Sequence, residues 1–404
     1  MKRTRLSWVP YIPYSWNVVR IKDIARLQSG EGITSDSIDS IGDYPVFGGN
    51  GLRGYTDSYT NEGNYVLIGR QGALCGNINY ANGKFFASEH AVVVYPHDRK
   101  ENTTWLGETL RAANLNRLSA SAAQPGLAVS VLNFQFIPYP PKEVRKRIGN
   151  YLDEKLAEIN KRITSLAKQQ DAYARLKKSI IHQAVTRGLN PDVSLKDSGI
   201  EWIGMIPEHW EGRRLKDFSV LNPQYTGQEK RTEVSFLPME GLRYDSTTLQ
   251  SIPFEEGKGK YTFFADGDLL MAKVTPCFEN GNIAIARNLK EGIGFGSSEI
   301  FVLRLDRSVS SRFFFYYVQA PSFQDEACST MCGVGGLKRI SPIFMRARLV
   351  FFPPLSEQQA IANYLDEKCA KISAAIENIG KQIDTSKHLK RALINEVITG
   401  QRAV

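Results

Sequence analysis

The sequence of 404 residues lacks any long apolar run. No stretch of about 18 consecutive apolar residues occurs, so a membrane-spanning helix is not predicted. The opening MKRTRLSWVPYIPYSW is basic but has no apolar core of signal-peptide length. Cysteine is scarce, with five scattered residues, which is typical of reduced thiols and not of a disulfide framework. These absences predict a cytoplasmic protein.

Signatures of catalysis and metal binding are also scarce. Cys328 and Cys332 lie near no second Cys/His pair, which disfavours a zinc site. The five histidines form no Ser–His–Asp arrangement that spacing can identify. FGGNG (47–51) and NPQY (222–225) loosely match two methyltransferase motifs, but a turn-like sequence follows the first and Gln224 interrupts the second. We therefore predict no catalytic residue, no metal and no cofactor in this chain.

The charge balance is basic. The formal net charge is +9 and the pI is about 9.1, which favours a polyanionic partner such as nucleic acid. Charge alone leaves open a basic soluble protein without such a partner.

The chain contains a long internal repeat that begins with the phrase NYLDEK at 150–155 and 363–368. At an offset of 213, 148–186 matches 361–399 with 17 identities in 39 positions and no gap. A second match, at an offset of 194, places WVPYIPYSWNVVRIKD (8–23) over WIGMIPEHWEGRRLKD (202–217). The middles between these matches look almost unrelated, and the second is 19 residues longer. The chain is therefore a tandem of two half-molecules.

The repeated ends predict two long helices. Proline pairs precede them at 140–141 and 353–354, and Gly188 and Gly400 follow them. Apolar residues at steps of three and four form one stripe on each helix: Ile148, Leu152, Leu156, Ile159, Ile163, Leu166, Tyr173, Leu176, Ile180 and Ala184, then Ile361, Leu365, Cys369, Ile372, Ile376, Ile379, Ile383, Leu389, Leu393 and Val397. Helices of roughly 45 residues would be about 65 Å long. We expect the two to pack as a coiled coil, with packing on separate domains as the alternative.

The middles read as compact α+β domains. Short β-branched and aromatic runs such as NYVLIGR and SSEIFVLRL alternate with turns and with short helices at 103–118 and 310–323.

This organisation resembles the specificity subunit of type I restriction–modification enzymes. The resemblance covers the whole chain and is carried by PLSEQQAIANYLDEK (354–368), PKEVRKRIGNYLDEK (141–155), IPEHWEGRRLKD (206–217), YPVFGGNGLRGYT (44–56) and YVLIGRQGALCGNI (65–78). It implies an α+β fold with two α/β target recognition domains separated by two long antiparallel coiled-coil helices and an internal pseudo-two-fold repeat. The corresponding ranges are 1–140, 141–190, 191–353 and 354–404.

The resemblance also implies a non-catalytic subunit that reads a bipartite, asymmetric sequence in double-stranded DNA. Two methylation subunits and the restriction (motor) subunits would be its partners, and S-adenosylmethionine, ATP and Mg would be bound by those partners. Two alternatives stay open. A stand-alone DNA adenine methyltransferase would bind cofactor in isolation, and an adaptor for proteins alone would show no salt-dependent DNA affinity.

Candidate contact residues follow from residue type, because Arg suits guanine and Asn or Gln suits adenine. In the first domain they are Asn50, Arg53, Tyr55, Arg70, Gln71, Ser88 and His90. In the second they are Lys273, Thr275, Asn280, Ser297, Ser298, Lys338 and Arg339. The predicted helix-pairing and partner-docking residues are Leu152, Asp153, Glu154, Ile159, Ile163, Leu365, Asp366, Glu367, Ile372 and Ile376. The stretch 142–187 holds twelve Lys/Arg against five Asp/Glu, which suits either DNA phosphates or a solvated or protein-bound face.

Overall fold

The chain folds into two compact units. The computed structural model describes residues 1–72, 74–119, 126–200, 203–227, 231–334 and 336–404. Unit 1 comprises Met1–Ala167 and Gly380–Val404, and unit 2 comprises Lys168–Ile379. Trp202, part of the second opening phrase, lies outside the described residues.

The elements before the first long helix belong to unit 1. The strands are β1 (Lys2–Leu6), β2 (Val9–Ile12), β3 (Asn17–Arg20), β4 (Ala25–Ser29), β5 (Tyr44–Gly48), β6 (Gly51–Thr56), β7 (Asn61–Glu62), β8 (Tyr65–Gly69), β9 (Ile78–Ala81), β10 (Lys84–Ala87), β11 (Ala91–Pro96) and β12 (Phe136–Tyr139). The helices are α1 (Thr103–Ala112) and α2 (Val129–Asn133). The long α3 (Lys142–Arg187) follows, with its residues up to Ala167 in unit 1 and the rest in unit 2.

The elements between the long helices belong to unit 2. The strands are β13 (Leu195–Asp197), β14 (Met205–Pro207), β15 (Glu211–Arg214), β16 (Ser219–Leu221), β17 (Glu233–Leu237), β18 (Leu242–Arg243), β19 (Ser246–Thr247), β20 (Gln250–Pro253), β21 (Thr262–Ala265), β22 (Leu269–Ala272), β23 (Ile283–Ile285), β24 (Ile293–Gly296), β25 (Ile300–Leu305), β26 (Cys332–Val334), β27 (Leu337–Arg339) and β28 (Leu349–Phe352). The helices are α4 (Leu215–Phe218), α5 (Phe254–Gly257), α6 (Ser311–Tyr317), α7 (Pro321–Ser329) and α8 (Pro342–Ala347). The long α9 (Leu355–Ile398) follows, with its residues up to Ile379 in unit 2 and the rest in unit 1.

The two middles have the same topology although their sequences look unrelated. Unit 1 has sheets in the orders β4–β11–β8–β9 and β6–β5–β10–β7, and unit 2 has the matching orders β16–β25–β22–β23 and β20–β17–β24–β21. The parallel pair β5/β10 has its counterpart in β17/β24. The fold class predicted from the sequence is confirmed: each middle is a mixed α/β domain, and the chain carries an internal structural repeat.

Both long helices begin and end where the sequence indicates. Each begins directly after its proline pair, where a missing N–H costs no helical hydrogen bond. Gly188 (φ +74°) and Gly400 (φ +70°) adopt the left-handed conformation that terminates helices and that glycine adopts without strain.

The long helices pack against each other in antiparallel register within each unit. In unit 2 the Lys177 ammonium donates to Ser373 Oγ at 2.9 Å, and in unit 1 Lys390 donates to Asn160 Oδ1 at 2.8 Å. The residue numbers in both pairs add to 550, so the two contacts are equivalent under the repeat. Mutual packing is therefore the correct one of the two arrangements considered.

The apolar stripe is buried along most of its length but not throughout. Tyr173, Leu176 and Leu389 are exposed, so the prediction that they belong to the buried seam is wrong. Leu176 and Leu389 are equivalent in the repeat. Their neighbours Lys177 and Lys390 form the contacts to the opposite helix, which turns both leucines outward.

Candidate nucleic-acid interface

In unit 1, the residues that follow β8 lie where the strands of the β4–β11–β8–β9 sheet end. The Arg70 N–H donates to the His90 carbonyl at 2.8 Å, just beyond the last β8–β11 pair. The Arg70 carbonyl accepts from the Leu127 N–H at 2.9 Å. The Arg70 backbone is thus held on both sides at the end of β8, where Arg70 is half-buried and Gln71 is exposed; we call this end of the sheet the rim.

The β5–β6 hairpin places its tip on the same rim. Gly49 lies so close to Gln71 that a Cβ at position 49 would stand 2.8 Å from the Gln71 carbonyl oxygen. Gly51 has φ +97°, a conformation that disfavours other residues. Between the two glycines, Asn50 is exposed, and its Oδ1 accepts from Asn77 Nδ2 at 3.3 Å.

The other candidates of the first domain are placed unequally. Arg53 is exposed beside the tip, where a Cβ at Gly48 would meet its side chain. His90 Nε2 lies 3.1 Å from Glu89 Oε1. Ser88 is fully buried, so it shapes the turn and presents no atom to the surface. Tyr55 pairs with Pro45, several residues along the hairpin from its tip.

In unit 2, the residues that follow β22 have the same backbone geometry. The Lys273 N–H donates to the Glu299 carbonyl at 3.0 Å, and the Lys273 carbonyl accepts from the Ile340 N–H at 2.9 Å. These bonds match those of Arg70. The bridge between Gln71 and Gly126 likewise corresponds to the bridge between Val274 and Arg339.

Several candidates of the second domain converge on the rim of unit 2. Arg339 donates from Nε and a terminal nitrogen to the two carboxylate oxygens of Glu299, both at 2.9 Å. Thr275 Oγ1 accepts from the Lys338 N–H at 2.9 Å and donates to the Gly336 carbonyl at 2.8 Å. The hydrogen bonds from Arg339 lower the pKa of Glu299. Glu299 therefore stays ionised and the pair stays charged near neutral pH.

The remaining three candidates lie in turns. Asn280 is exposed, and its N–H donates to the Pro276 carbonyl at 3.0 Å. Ser297 Oγ accepts from the Glu299 N–H at 3.2 Å, and Ser298 is exposed. Both rims thus present fixed donors and acceptors on short loops, which is the arrangement needed to read base edges.

The docking candidates on the long helices divide into three groups. Leu152, Leu365 and Ile372 are buried, while Ile159, Ile163 and Ile376 are half-buried. Glu154 and Glu367 are exposed. The two aspartates instead contact the α/β domain of their own unit.

Those aspartate contacts attach each helix to its domain. Asp153 Oδ1 accepts from the Thr104 hydroxyl at 2.5 Å. Asp366 Oδ1 accepts from Arg312 Nε at 2.6 Å and from the Tyr316 hydroxyl at 2.7 Å. Arg312, Tyr316 and Asn77 were not found from the sequence, because the pairing of their side chains depends on residues distant in the chain.

The described residues contain no group of three or more His, Cys, Asp or Glu side chains placed to hold a metal ion. None of the helices within the described ranges is long and apolar enough to cross a membrane. In the NPQY stretch, Asn222 Oδ1 accepts from the Val302 N–H at 3.0 Å, so this amide fastens a sheet edge.

Comparison with protein families gives a match to the type I restriction modification DNA specificity domain over residues 13–169. The EcoprrI specificity subunit of Escherichia coli is 38% identical over 163 residues, which cover 39% of this chain and 40% of that subunit. The EcoAI specificity subunit of the same species is 32% identical over 213 residues, 52% of this chain and 34% of that subunit. These matches therefore span well under half of the length of each Escherichia coli relative.

Other matches extend over the whole chain. The MjaVIII specificity subunit of Methanocaldococcus jannaschii is 23% identical over 413 residues, which cover 96% of this chain and 93% of that subunit. Among solved structures, a chain from work on complex assembly and conformational transition of the type I R-M system superposes with a TM-score of 0.68. The aligned parts are 16% identical and cover 96% of this chain and 99% of that chain, which is a likeness of fold.

Proposed function

We propose that this chain is a specificity subunit of a type I restriction–modification system and that it selects the DNA target of such a complex, a proposal that its similarity to this family supports. Unit 1 and unit 2 each carry one recognition domain. Each domain reads one half of a bipartite, asymmetric sequence in double-stranded DNA. The chain itself is non-catalytic and acts as reader and scaffold.

The observation that carries this proposal is that the two domains share one backbone arrangement but carry different side chains at the same place. Arg70 and Lys273 occupy equivalent places, since each makes the same pair of backbone hydrogen bonds. The partners at their sides differ, with His90 beside the first and Glu299 beside the second. A shared backbone positions the rim on DNA, and differing side chains select different bases. Two such rims in one chain suit two different half-sites.

The outward faces of the long helices support docking of two copies of a partner. Seven positions of the long helices are identical in both copies of the repeat and exposed in both. Five of them lie on one stripe at heptad spacing: Asn150, Glu154, Ala157, Lys168 and Asp171, with Asn363, Glu367, Ala370, Lys381 and Asp384. This stripe lies on the side of the helix opposite the seam. Packing of the two helices does not require these positions to be identical. Docking of two copies of the same partner would require it. We assign this stripe to the methylation subunits.

Catalysis and cofactors would lie on the partners. S-adenosylmethionine would bind to the methylation subunits, and ATP and Mg to the restriction subunits. The chain's own contribution is positional: it holds an adenine of each half-site where a methylation subunit can act.

The two long helices differ in net charge. α3 carries twelve Lys/Arg against five Asp/Glu, whereas α9 carries six of each. Arg147, Lys161 and Arg175 lie at the heptad position that Ala360, Ala374 and His388 occupy in α9. These residues lie at the same heptad position as Glu154 and Lys168, so the docking stripe of α3 is more basic than that of α9 and suits a more acidic partner surface.

Methylome sequencing tests the proposal. A host that expresses this chain with its cognate methylation subunit is compared with a host that lacks only this chain. The expected result is new methyladenine in both halves of a split, asymmetric motif. A methylation pattern that is identical in the two hosts, with the complex shown to be assembled, would contradict the proposal.

A further inference from the structure

Unit 2 contains an insertion that covers part of its own long-helix pair. In unit 1, β5 and β6 are joined by Gly49 and Asn50 alone, whereas 238–249 separate the equivalent strands β17 and β20. The insertion forms the β18–β19 hairpin, with Tyr244 and Asp245 at its turn.

The turn contacts α3 and α6 through a ring and a carboxylate. The Tyr244 ring lies 4.4 Å from Lys177 Nζ and 5.6 Å, edge to face, from the Phe315 ring. Asp245 Oδ1 accepts from an Arg312 terminal nitrogen at 2.7 Å. The unit therefore packs an aromatic–acid pair, which stays partly exposed, against a cation of the long helix and a cation of the domain.

Unit 1 has an open cleft beside the residue equivalent to Lys177. The cleft, of about 430 Å³, adjoins Lys390 and is floored by Ile163 and Ile394. Glu108 and Arg111 of α1 form its wall. α1 corresponds to α6, because Asn102 and Ser310 cap the two helices through equivalent side-chain hydrogen bonds.

The rim of this cleft is strongly basic. Lys387, Lys390 and Arg391 line it together with Arg111, against Glu108 as the one acidic lining residue. Glu108 is already engaged, since it accepts from the Tyr80 hydroxyl at 2.8 Å and from Arg111 Nε at 3.0 Å. At the position equivalent to Lys387, unit 2 has Ala174. The cleft of unit 1 therefore carries more positive charge than its counterpart.

We propose that this cleft binds a segment of a partner protein that presents an aromatic ring followed by a carboxylate. The insertion of unit 2 supplies the same chemistry from within the chain. Ile163 and Ile394 would bury one face of the ring, and Lys387 and Arg391 would pair with the carboxylate. The proposal goes beyond target recognition and holds whichever DNA sequence the chain reads.

The apolar floor distinguishes this occupant from a nucleic-acid backbone. Ile394 is already buried, so the apolar area that an occupant could cover lies mainly on the half-buried Ile163. Phosphates would use the basic rim and leave that area uncovered, whereas an aromatic side chain would bury it. In unit 2 the ring lies against Lys177, whose equivalent in the cleft of unit 1 is Lys390. The test accordingly separates the contribution of the ring from that of charge.

The first experiment measures binding of a fluorescent synthetic peptide, residues 239–249 of this chain, to the full-length protein by anisotropy. The protein is compared with the variant Lys387→Glu/Arg391→Glu. Lys146→Glu/Arg147→Glu serves as the control, because it reverses two exposed charges of α3 outside the cleft. A peptide with Tyr244→Ala serves as the second control.

We expect saturable binding that weakens about tenfold or more in the cleft variant, since two ion pairs are lost. The control protein should bind as the parent does, and the peptide with Tyr244→Ala should bind about tenfold more weakly. No saturable binding up to about 1 mM, or equal binding by both charge variants, would overturn the proposal. Undiminished binding of the Tyr244→Ala peptide would also overturn it, because only charge would then be recognised. None of these readouts involves DNA, so they do not depend on the proposed function.

Discussion

Arg145 and Gln358 perform the same task in the two repeats. Each is a buried residue in the first turn of a long helix, and each donates to the carbonyl of the first proline of the preceding pair, Arg145 to Pro140 at 2.7 Å and Gln358 to Pro353 at 3.0 Å. Each also binds the segment that leads into α1 or into its counterpart α6. Arg145 pairs with Glu101, whereas the Gln358 side-chain oxygen accepts from the Ser310 N–H at 2.8 Å.

The charged contacts of Arg145 should be more sensitive to substitution than the neutral contacts of Gln358. Arg145→Ala leaves the Glu101 carboxylate buried without its partner, and we expect a loss of about 3–5 kcal/mol in the stability of unit 1. Gln358→Ala removes neutral hydrogen bonds and should cost about 1–3 kcal/mol in unit 2. Thermal unfolding would measure the total loss of stability, and hydrogen exchange would assign that loss to unit 1 or to unit 2.

A double variant provides the control for this comparison. Arg145→Gln with Glu101→Gln removes both charges and keeps a donor for the Pro140 carbonyl, so it should recover most of the stability lost in Arg145→Ala. Equal losses in the double variant and in Arg145→Ala would mean that packing of the long Arg145 side chain, and not its charge, accounts for the loss.

The sequence predicted those parts of the fold that depend on local pattern. The proline pairs, the terminal glycines and the spacing of three and four were sufficient to place α3 and α9. The exposed Tyr173, Leu176 and Leu389 could not be separated from the seam, because the register of two helices depends on contacts between residues about 200 positions apart.

The two rims were only partly predictable, for a related reason. Arg70 and Lys273 stand out as basic residues beside glycine-rich or turn-rich sequence. Their equivalence rests on backbone bonds to His90 and Glu299, and such bonds leave no mark on side-chain identity. The common topology of the two middles was therefore not visible in sequences that share so few residues.

Substitutions at the two rims should act on separate half-sites. Arg70→Ala should relax or weaken recognition of one half-site and leave the base preference of the other unchanged, and Lys273→Ala should do the reverse. A lost base contact corresponds to about 1–3 kcal/mol. Methylome sequencing of each variant measures the effect at every motif position. A change of preference in both half-sites from one substitution would contradict the assignment of one domain to each.

The Glu299–Arg339 pair should resist moderate acidification. Hydrogen bonds from Arg339 lower the pKa of Glu299, so the pair favours the folded loop at pH above the ordinary glutamate value of about 4.3. That contribution is lost only as the pH falls through the lowered pKa. NMR titration of labelled glutamate should show Glu299 titrating below exposed glutamates, and Arg339→Ala should raise its pKa. Unchanged titration in the variant would show that Arg339 is not the cause.

Substitutions in the repeated phrase NYLDEK should separate effects on partner docking from effects on stability. Glu154→Lys with Glu367→Lys changes exposed residues and should weaken binding of the methylation subunit without changing the thermal midpoint. Asp366→Asn should instead destabilise unit 2, because it weakens the bonds from Arg312 and Tyr316. Calorimetry and co-purification measure the two effects. Normal docking by the glutamate double variant would remove the outward stripe from the proposed partner surface.

The length of the long helices should set the spacer of the DNA target. Seven residues inserted after Ala167 and seven after Gly380 keep the buried stripe of both helices in phase, because seven residues complete one heptad. Each helix grows by about 10 Å, which corresponds to about three base pairs. We expect the same half-sites with a spacer about three base pairs longer, read by methylome sequencing. Four residues inserted near Ala167 alone put the stripe of α3 out of phase and should reduce assembly. Full methylation of the original target by the seven-residue variant would show that helix length does not determine the spacer.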